Sequence, residues 1–369
     1  MGRTVCEKNK CSGCKACISI CPRQAIEVFD EMQFLNAVVD EDKCIDCHLC
    51  ENVCPMKNEP ELNEPILWNQ GWSNNAEIRK KSTSGGLGRQ LAESFINNGG
   101  KVCTCVFEND QFKFELINTV DDLYKIQGSK YVKSNPDKIY IEVKKELQKG
   151  EKVLFIGLPC QADAVRRFVG ERYKDKFYTV DLICHGTPSV KLLEKYLCEH
   201  NLSLESQPYL KFRDNGLYKL LTEPPIEKKG IMDKYMIAFF MGHSFTENCY
   251  QCKFAQLKRG SDITIGDSWG SDLSSEVEKG ISLILCQTEK GKELLKDDNL
   301  DLFDVDLNKA IHNNPQLRSH YSRPKRLNAF YDDIKKGKKI DFVVYKYVTK
   351  KCIKEDVKKI LIMAHLRKN

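Results

Sequence analysis

Apolar positions along the chain fall into short blocks separated by polar turns. Ala25–Val28 and Ala37–Val39 flank a polar turn at Asp30 and Glu31, which predicts a small pair of strands. Asn58 to Pro65, with Pro60 and Pro65, reads as a linker. Leu91 and Phe95 then recur at helical spacing within Arg89–Asn98, and Gly99-Gly100 stops that helix. Lys101–Phe107 predicts a strand carrying Cys103 and Cys105 on one face as core thiols. Asp121–Ile126 predicts a helical turn, and Asp137–Gln148 a helix ending at Gly150.

Two strand–turn–helix units follow. Lys152–Ile156 runs through Gly157–Gln161 into a helix over Ala162–Phe168, and Phe177–Ile183 runs through Cys184–Ser189 into a helix over Val190–Glu199. An α/β sheet exposes such turns at its carboxyl edge, which puts Cys160 and Cys184 there. Tyr209–Asp214 and Ser282–Thr288 are further predicted strands, and Ser261–Gly270 reads as a strand entering a tight turn. Cys249 and Cys252 form a C-x₂-C pair, and a helix is expected near Gly291–Leu295.

The cysteines change this picture most. Cys11, Cys14, Cys17 and Cys21-Pro22 spell C-x₂-C-x₂-C-x₃-C-P, and Cys44, Cys47, Cys50 and Cys54-Pro55 repeat it 33 residues later. This is the bacterial ferredoxin run, in which the fourth cysteine of each run ligates the other cluster. The expected sets are Cys11, Cys14, Cys17 and Cys54 for one [4Fe–4S] cluster, and Cys44, Cys47, Cys50 and Cys21 for the second. Structural zinc also takes four thiolates, but its sites usually bring two pairs of cysteines. Pro22 and Pro55 end the ligand loops, since proline fixes φ and offers no N–H.

The sequence is 369 residues long, enough for two or three domains. The pattern divides it into a two-cluster ferredoxin domain (1–62), regions 66–150 and 151–322, and a tail (323–369). The fold class expected is α+β: a small two-cluster ferredoxin-like domain, an α/β domain and a helical basic C-terminal tail. No apolar stretch reads as a signal peptide or a membrane span, and position 6 is Cys6 where a myristoylation signal needs Ser or Thr. Eighteen cysteines are then expected to be ligands or buried thiols in a reducing cytoplasm.

The net charge of +6 is unevenly placed: the tail carries about +10 and the body about −4. Ile353, Val357, Ile360, Leu361 and Ala364 lie near helical spacing among lysines. The preferred reading is a helix packed on the body with a solvated lysine face; a basic helix on an anionic membrane or an acidic partner is the alternative. No aromatic-interleaved basic platform points to nucleic acid.

The turn Ser82-Thr83-Ser84-Gly85-Gly86 before a helix would present free amides to an anion, though Ser84 would equally serve as a plain N-cap. Together with G-S-K-Y at Gly128–Tyr131, G-L-P-C-Q at Gly157–Gln161, I-C-H-G-T-P-S at Ile183–Ser189, C-Y-Q-C-K-F at Cys249–Phe254 and D-I-T-I-G-D-S-W-G at Asp262–Gly270, this turn resembles the coenzyme F-420 hydrogenase/dehydrogenase β-subunit family. The resemblance spans nearly all of residues 1–320, with the ferredoxin domain fused in front. It implies that the α/β domain is an α/β flavin-binding domain holding FAD, with a further [4Fe–4S] cluster. Carried over by motif, Ser82, Thr83, Ser84, Gly85, Gly86 and Lys130 would contact FAD, with Pro159 and Gln161 nearby. Cys160, Cys184, Cys249 and Cys252 would hold the third cluster, the alternative being zinc or free thiols. His185 is a candidate proton donor and Asp267 a candidate cofactor-facing acid, each with an ordinary structural alternative.

Clusters pass single electrons, hydride donors pass two, and a flavin converts between them. The expected function is therefore an iron–sulfur flavoprotein oxidoreductase linking a one-electron carrier, an external ferredoxin or redox partner protein, to a two-electron substrate. That substrate would be an organic molecule or the deazaflavin coenzyme F-420; a subunit that only relays electrons is the third reading.

Overall fold

The computed structural model describes residues 2–214, 217–226 and 230–364. The N-terminal region holds an antiparallel pair, β1 (Ile26–Asp30) and β2 (Leu35–Val39). Asp30 continues the first strand, so the turn falls one residue later than the sequence pattern places it. Glu31 N–H donates to the Phe34 carbonyl at 2.9 Å, and Met32 takes a left-handed φ of 68°.

Ten further strands follow: β3 (Leu67–Ser73), β4 (Lys101–Glu108), β5 (Gln111–Ile117), β6 (Val153–Gly157), β7 (Phe177–Leu182), β8 (Lys211–Asp214), β9 (Leu217–Leu221), β10 (Ile263–Asp267), β11 (Ser282–Cys286) and β12 (Leu300–Phe303). Eight of these form one mixed sheet, ordered β12-β3-β11-β10-β7-β6-β4-β5. Its centre, β4, β6, β7 and β10, is parallel, and antiparallel strands flank it on both sides. Residues before and after position 150 therefore share one sheet. Leu67–Ser73 lies deep within it because its partners β11 and β12 come from more than 200 residues away in sequence.

The parallel strands are largely buried on both faces, as strands covered by helices are, with Thr104, Thr179, Asp181 and Thr264 among the buried side chains. Leu87–Asn97 covers one face through Leu91, Ala92 and Phe95, and Ile139–Gln148 and Pro159–Val169 cover the other. The second of these begins at Pro159 rather than Ala162. Proline at the first helical position comes with φ already set, and the Gln161 Oε1 accepts from Leu158 N–H at 3.1 Å. Cys160 is thus in the first turn of the helix.

The tail is part of the core. Helices Leu327–Lys335, Ile340–Tyr347 and Thr349–Met363 contribute Phe330, Tyr331, Ile334, Val343, Val344 and Cys352 to one cluster with Tyr235, Ile237 and Phe239 of the helix Lys234–Phe240. Packing on the body holds, but the face of the last helix differs from the sequence reading. Cys352 and Glu355 are buried, whereas Ile353, Val357 and Ile360 point outward. The helix docks by a cysteine and an ion-paired glutamate, with Lys351 and Lys358 on Glu355 at 2.8 and 3.0 Å. Among the described residues no helix is long and apolar enough to cross a membrane.

Candidate metal centres

The two ligand loops are built alike. Gly13 and Lys15 in the first, and Asp46 and His48 at the equivalent positions of the second, all have positive φ. Short helices Ala16–Ile20 and Leu49–Asn52 leave these loops and carry Cys17 and Cys50. A left-handed residue on either side of the second cysteine curls the backbone so that three thiols face inward.

The cysteines gather in the crossed arrangement. Burial pushes the Cys14 thiol up to about 12, with Cys54 and Cys11 adding to the effect. Cys17 is held high by burial and by its neighbours Cys14, Cys11, Cys54 and then Cys50. All four are buried: Cys11, Cys17 and Cys54 share one core cluster, and Cys14 reaches into the neighbouring one with Tyr140 and Ala162. The second group, Cys21, Cys44, Cys47 and Cys50, lines one surface cavity with Arg3 and His48, and Cys47 is exposed. Arg3 donates to Cys44 Sγ at 3.1 Å and pairs with Asp46 at 2.8 Å.

A third group forms inside the larger region. Cys160, Cys184, Cys249 and Cys252 line one cavity of about 600 Å³ including its open mouth, together with Lys133, Pro159, His185 and Arg259. The sheet explains the meeting. Cys160 and Cys184 follow the carboxyl ends of adjacent parallel strands β6 and β7, and Cys249 belongs to the one-turn helix Glu247–Gln251, with Cys252 next after it. Pro188 pairs with Phe245 across a β-bridge, which brings that turn to the sheet edge. Burial raises the Cys184 thiol to about 12 and Cys252 to about 11. Cys14 is among the thiols acting on Cys160, so this group adjoins the first. Among the described residues no three His, Cys, Asp or Glu side chains close on one point as ligands of a single ion would.

The remaining expected residues occupy the carboxyl edge of the sheet. Thr83 Oγ1 lies 2.8 Å from Ser129 Oγ, which joins the Ser82–Gly86 turn to the G-S-K-Y segment. Ser82 Oγ donates to the Ile78 carbonyl, Ser84 Oγ to the Ile281 carbonyl, and Gly85 N–H to Ser282 Oγ. Gly86, with φ of 85°, starts the helix Leu87–Asn97. Gly85 sits so tightly on the Gly71 carbonyl that a Cβ would lie 2.3 Å from it. Lys130 Nζ donates to the Ile126 carbonyl at 2.9 Å; burial lowers its ammonium's pKa against the pull of Cys105. Gln161 is engaged internally, its Nε2 donating to Ser134 Oγ at 3.0 Å.

His185 connects the third cavity to this edge. Burial holds its imidazole below the usual range while Asp267 pulls it back. Asp267 in turn receives both contacts from one Arg213 nitrogen, at 2.9 and 3.2 Å. Arg213 lies 4.7 Å from the Tyr218 ring and 5.9 Å from the Trp269 ring. Tyr131 adjoins the same arginine, its phenol pushed up to about 12 mainly by burial.

Several residues here escaped the sequence reading. Lys133, Arg259, Arg213, Tyr140 and Cys6 have no motif of their own. Only the position of Lys133, two residues past Tyr131 in an already notable segment, was a signal. Cys6 is a fifth thiol beside the first group; its neighbours Cys11 and Cys54, together with burial, push it well above the usual thiol range.

Comparison with known proteins agrees with these regions. Residues 10–58 match the 4Fe-4S dicluster domain, and residues 150–302 match the family described as the C terminus of the coenzyme F420 hydrogenase/dehydrogenase beta subunit. No curated protein sequence matches. A solved structure, a chain of the F420-reducing [NiFe] hydrogenase complex from Methanosarcina barkeri, is similar at 22% identity and a TM-score of 0.49, over 70% of this chain and 93% of that one. The chain thus joins an N-terminal 4Fe-4S dicluster domain to a region, across its central sheet, that is similar to the C terminus of the coenzyme F420 hydrogenase/dehydrogenase beta subunit, and it reads as an iron–sulfur, oxidoreductase-like electron-transfer protein.

Proposed function

We propose that this protein is an iron–sulfur flavoprotein oxidoreductase that carries single electrons from an external ferredoxin or redox partner protein to a two-electron substrate at FAD. The observation that carries the reading is the succession of three cysteine groups. The exposed group meets the buried one through Cys50 and Cys17, and the buried one meets the third through Cys14 and Cys160. His185 then links the third cavity to the Asp267–Arg213 edge. Thiolate sets suit iron–sulfur clusters because soft sulfur ligands hold iron and the protein tunes each potential by charge and burial. The exposed group is where a partner would deliver electrons.

FAD, when bound, supplies the exchange between one-electron and two-electron chemistry. The residues available to hold it are those at the sheet edge. The helix starting at Leu87 has first amides without a carbonyl partner in the helix, and these would be available to hold a pyrophosphate. Thr83 and Ser129 tie that turn to Lys130 and Tyr131. His185, whose imidazole burial holds below its ordinary value against the pull of Asp267, would hold or pass a proton between the cavity and Asp267. The cytoplasm is the compartment in which eighteen unpaired cysteines would remain reduced.

Anaerobic purification with iron, sulfide and flavin quantified tests this reading. About twelve irons per chain are expected for three [4Fe–4S] clusters, falling by about a third in Cys160→Ala or Cys249→Ala. Iron unchanged by those substitutions, or a preparation without flavin, would refute it. The family match favours coenzyme F-420 as the two-electron partner. Bleaching of the flavin by reduced coenzyme F-420 would support that choice, and turnover with ferredoxin and an organic substrate would support the other.

A further inference from the structure

Lys133 lies where the first and third cysteine groups meet. It is 8% exposed, lines the cavity of Cys160, Cys184, Cys249 and Cys252, and its Nζ donates to the Ser12 carbonyl, beside Cys11, at 2.9 Å. Its backbone N–H is fixed to the Pro188 carbonyl at 2.9 Å, and its stem runs across Gly13, where a Cβ would come within 3.0 Å of Lys133 Cδ. Glycine at 13 therefore serves the lysine's approach as well as its own left-handed turn. Among the described residues no carboxylate lies within ion-pair distance of the ammonium. A buried charge without a counter-ion is costly, and one that persists is paired or sits by a metal. The groups that face it are thiols: its charge acts on Cys11, Cys160 and Cys184.

We propose that Lys133 is the shared counter-ion of two iron–sulfur centres, one held by Cys11, Cys14, Cys17 and Cys54 and one held by Cys160, Cys184, Cys249 and Cys252. The inference rests on the reading of the third group as a cluster site. A cluster in four thiolates is anionic, and reduction adds one more negative charge. A fixed ammonium between two such centres stabilises the reduced form of each and so raises both potentials. With both clusters bound, an electron passed between them would oxidise the first centre and reduce the second, with no bond or proton moving. The electron originates from a one-electron donor of the ferredoxin class. The exposed group, Cys21, Cys44, Cys47 and Cys50, has Arg3 in its place and is outside the reach of Lys133. Lys133 is a positioning residue for the electrons, acting by charge alone.

The test is an anaerobic redox titration followed by electron paramagnetic resonance, with iron quantified, on the full chain and on Lys133→Met, Lys133→Gln and Lys133→Arg. The neutral variants should lower the reduced-to-oxidised ratio of two centres at least tenfold at fixed potential, about 59 mV for a one-electron couple, and leave the third unchanged. Lys133→Arg should stay near wild type. If the neutral variants instead lose iron from those two centres and Lys133→Arg retains it, the charge is again shown to be required by both. Iron loss not rescued by arginine, a shift at only one centre, or an equal shift at all three would overturn the proposal. Full iron with unmoved potentials would overturn it while leaving the third cluster intact. About eight irons in the wild-type chain would overturn both.

Discussion

The phenol of Tyr140 donates a 2.9 Å hydrogen bond to the carbonyl oxygen of Cys14, tying the first ligand loop to the helix Ile139–Gln148 on the sheet. Both groups are buried, and Tyr140 also neighbours Cys160. The small N-terminal region is thereby fixed to the larger one at the place where two cysteine groups adjoin. Tyr140→Phe leaves a buried carbonyl without its donor, which should cost about 1–3 kcal/mol of stability. Denaturant unfolding of the two proteins measures this directly. A loss below about 0.5 kcal/mol would mean that the loop is held by other contacts.

The crossed pairing gives opposite outcomes for two cysteines in similar motifs. Cys54→Ala should remove the buried centre, and Cys21→Ala the exposed one. Because the second group is open to solvent at Cys47, its centre should bleach first when oxidant or chelator is added. Cys21→Ala should therefore abolish the fast phase of bleaching, and Cys54→Ala should spare it. Cys6→Ala should leave iron content unchanged, since Cys6 lies outside both C-x₂-C-x₂-C-x₃-C-P runs and only neighbours Cys11 and Cys54. Iron loss in that variant would make Cys6 a ligand.

Arg213 and Asp267 are mostly buried together, and removing one strands the other. Arg213→Ala should destabilise the protein by about 3 kcal/mol, at the low end for a broken buried pair because both groups keep some solvent contact. It should also lower retained flavin, whereas Arg213→Lys keeps the charge and loses the rigid guanidinium fork that lies across Tyr218 and Trp269. Thermal unfolding and flavin content separate the two effects. Flavin retained in full by Arg213→Ala would place the flavin away from this edge.

The last helix should respond in the reverse of its hydrophobic pattern. Serine at Ile353, Val357 or Ile360 should change stability by no more than about 0.5 kcal/mol, because these side chains are exposed. Glu355→Ala should cost more, since Lys351 and Lys358 lose their partner inside the contact. Burial raises the Glu355 carboxyl, but the two lysines outweigh it and hold it below its ordinary value. A lowered folded-state value means stability that is present above the ordinary carboxylate range, about 4.3, and lost as pH falls through the folded value. Acid unfolding of Glu355→Gln should lack this part of the pH dependence.

The sequence by itself marked out the two cysteine runs of a 4Fe-4S dicluster domain, because their short spacing with a proline after the fourth cysteine is a local geometric requirement. It also determined the parallel core of the sheet and the turns that present Cys160 and Cys184, since strand, turn and helix each leave a periodic signature. Tertiary structure decided the rest. The strand Leu67–Ser73 is set by partners far away in sequence, and no local period announces it. Cys160, Cys184, Cys249 and Cys252 converge only because adjacent parallel strands end together and the Phe245 bridge folds a distant turn over them. The outward apolar stripe of the last helix reflects what it packs against, which periodicity does not reveal. Lys133 has no motif at all: its position between two thiol groups exists only once both have been brought to the same side of one buried side chain.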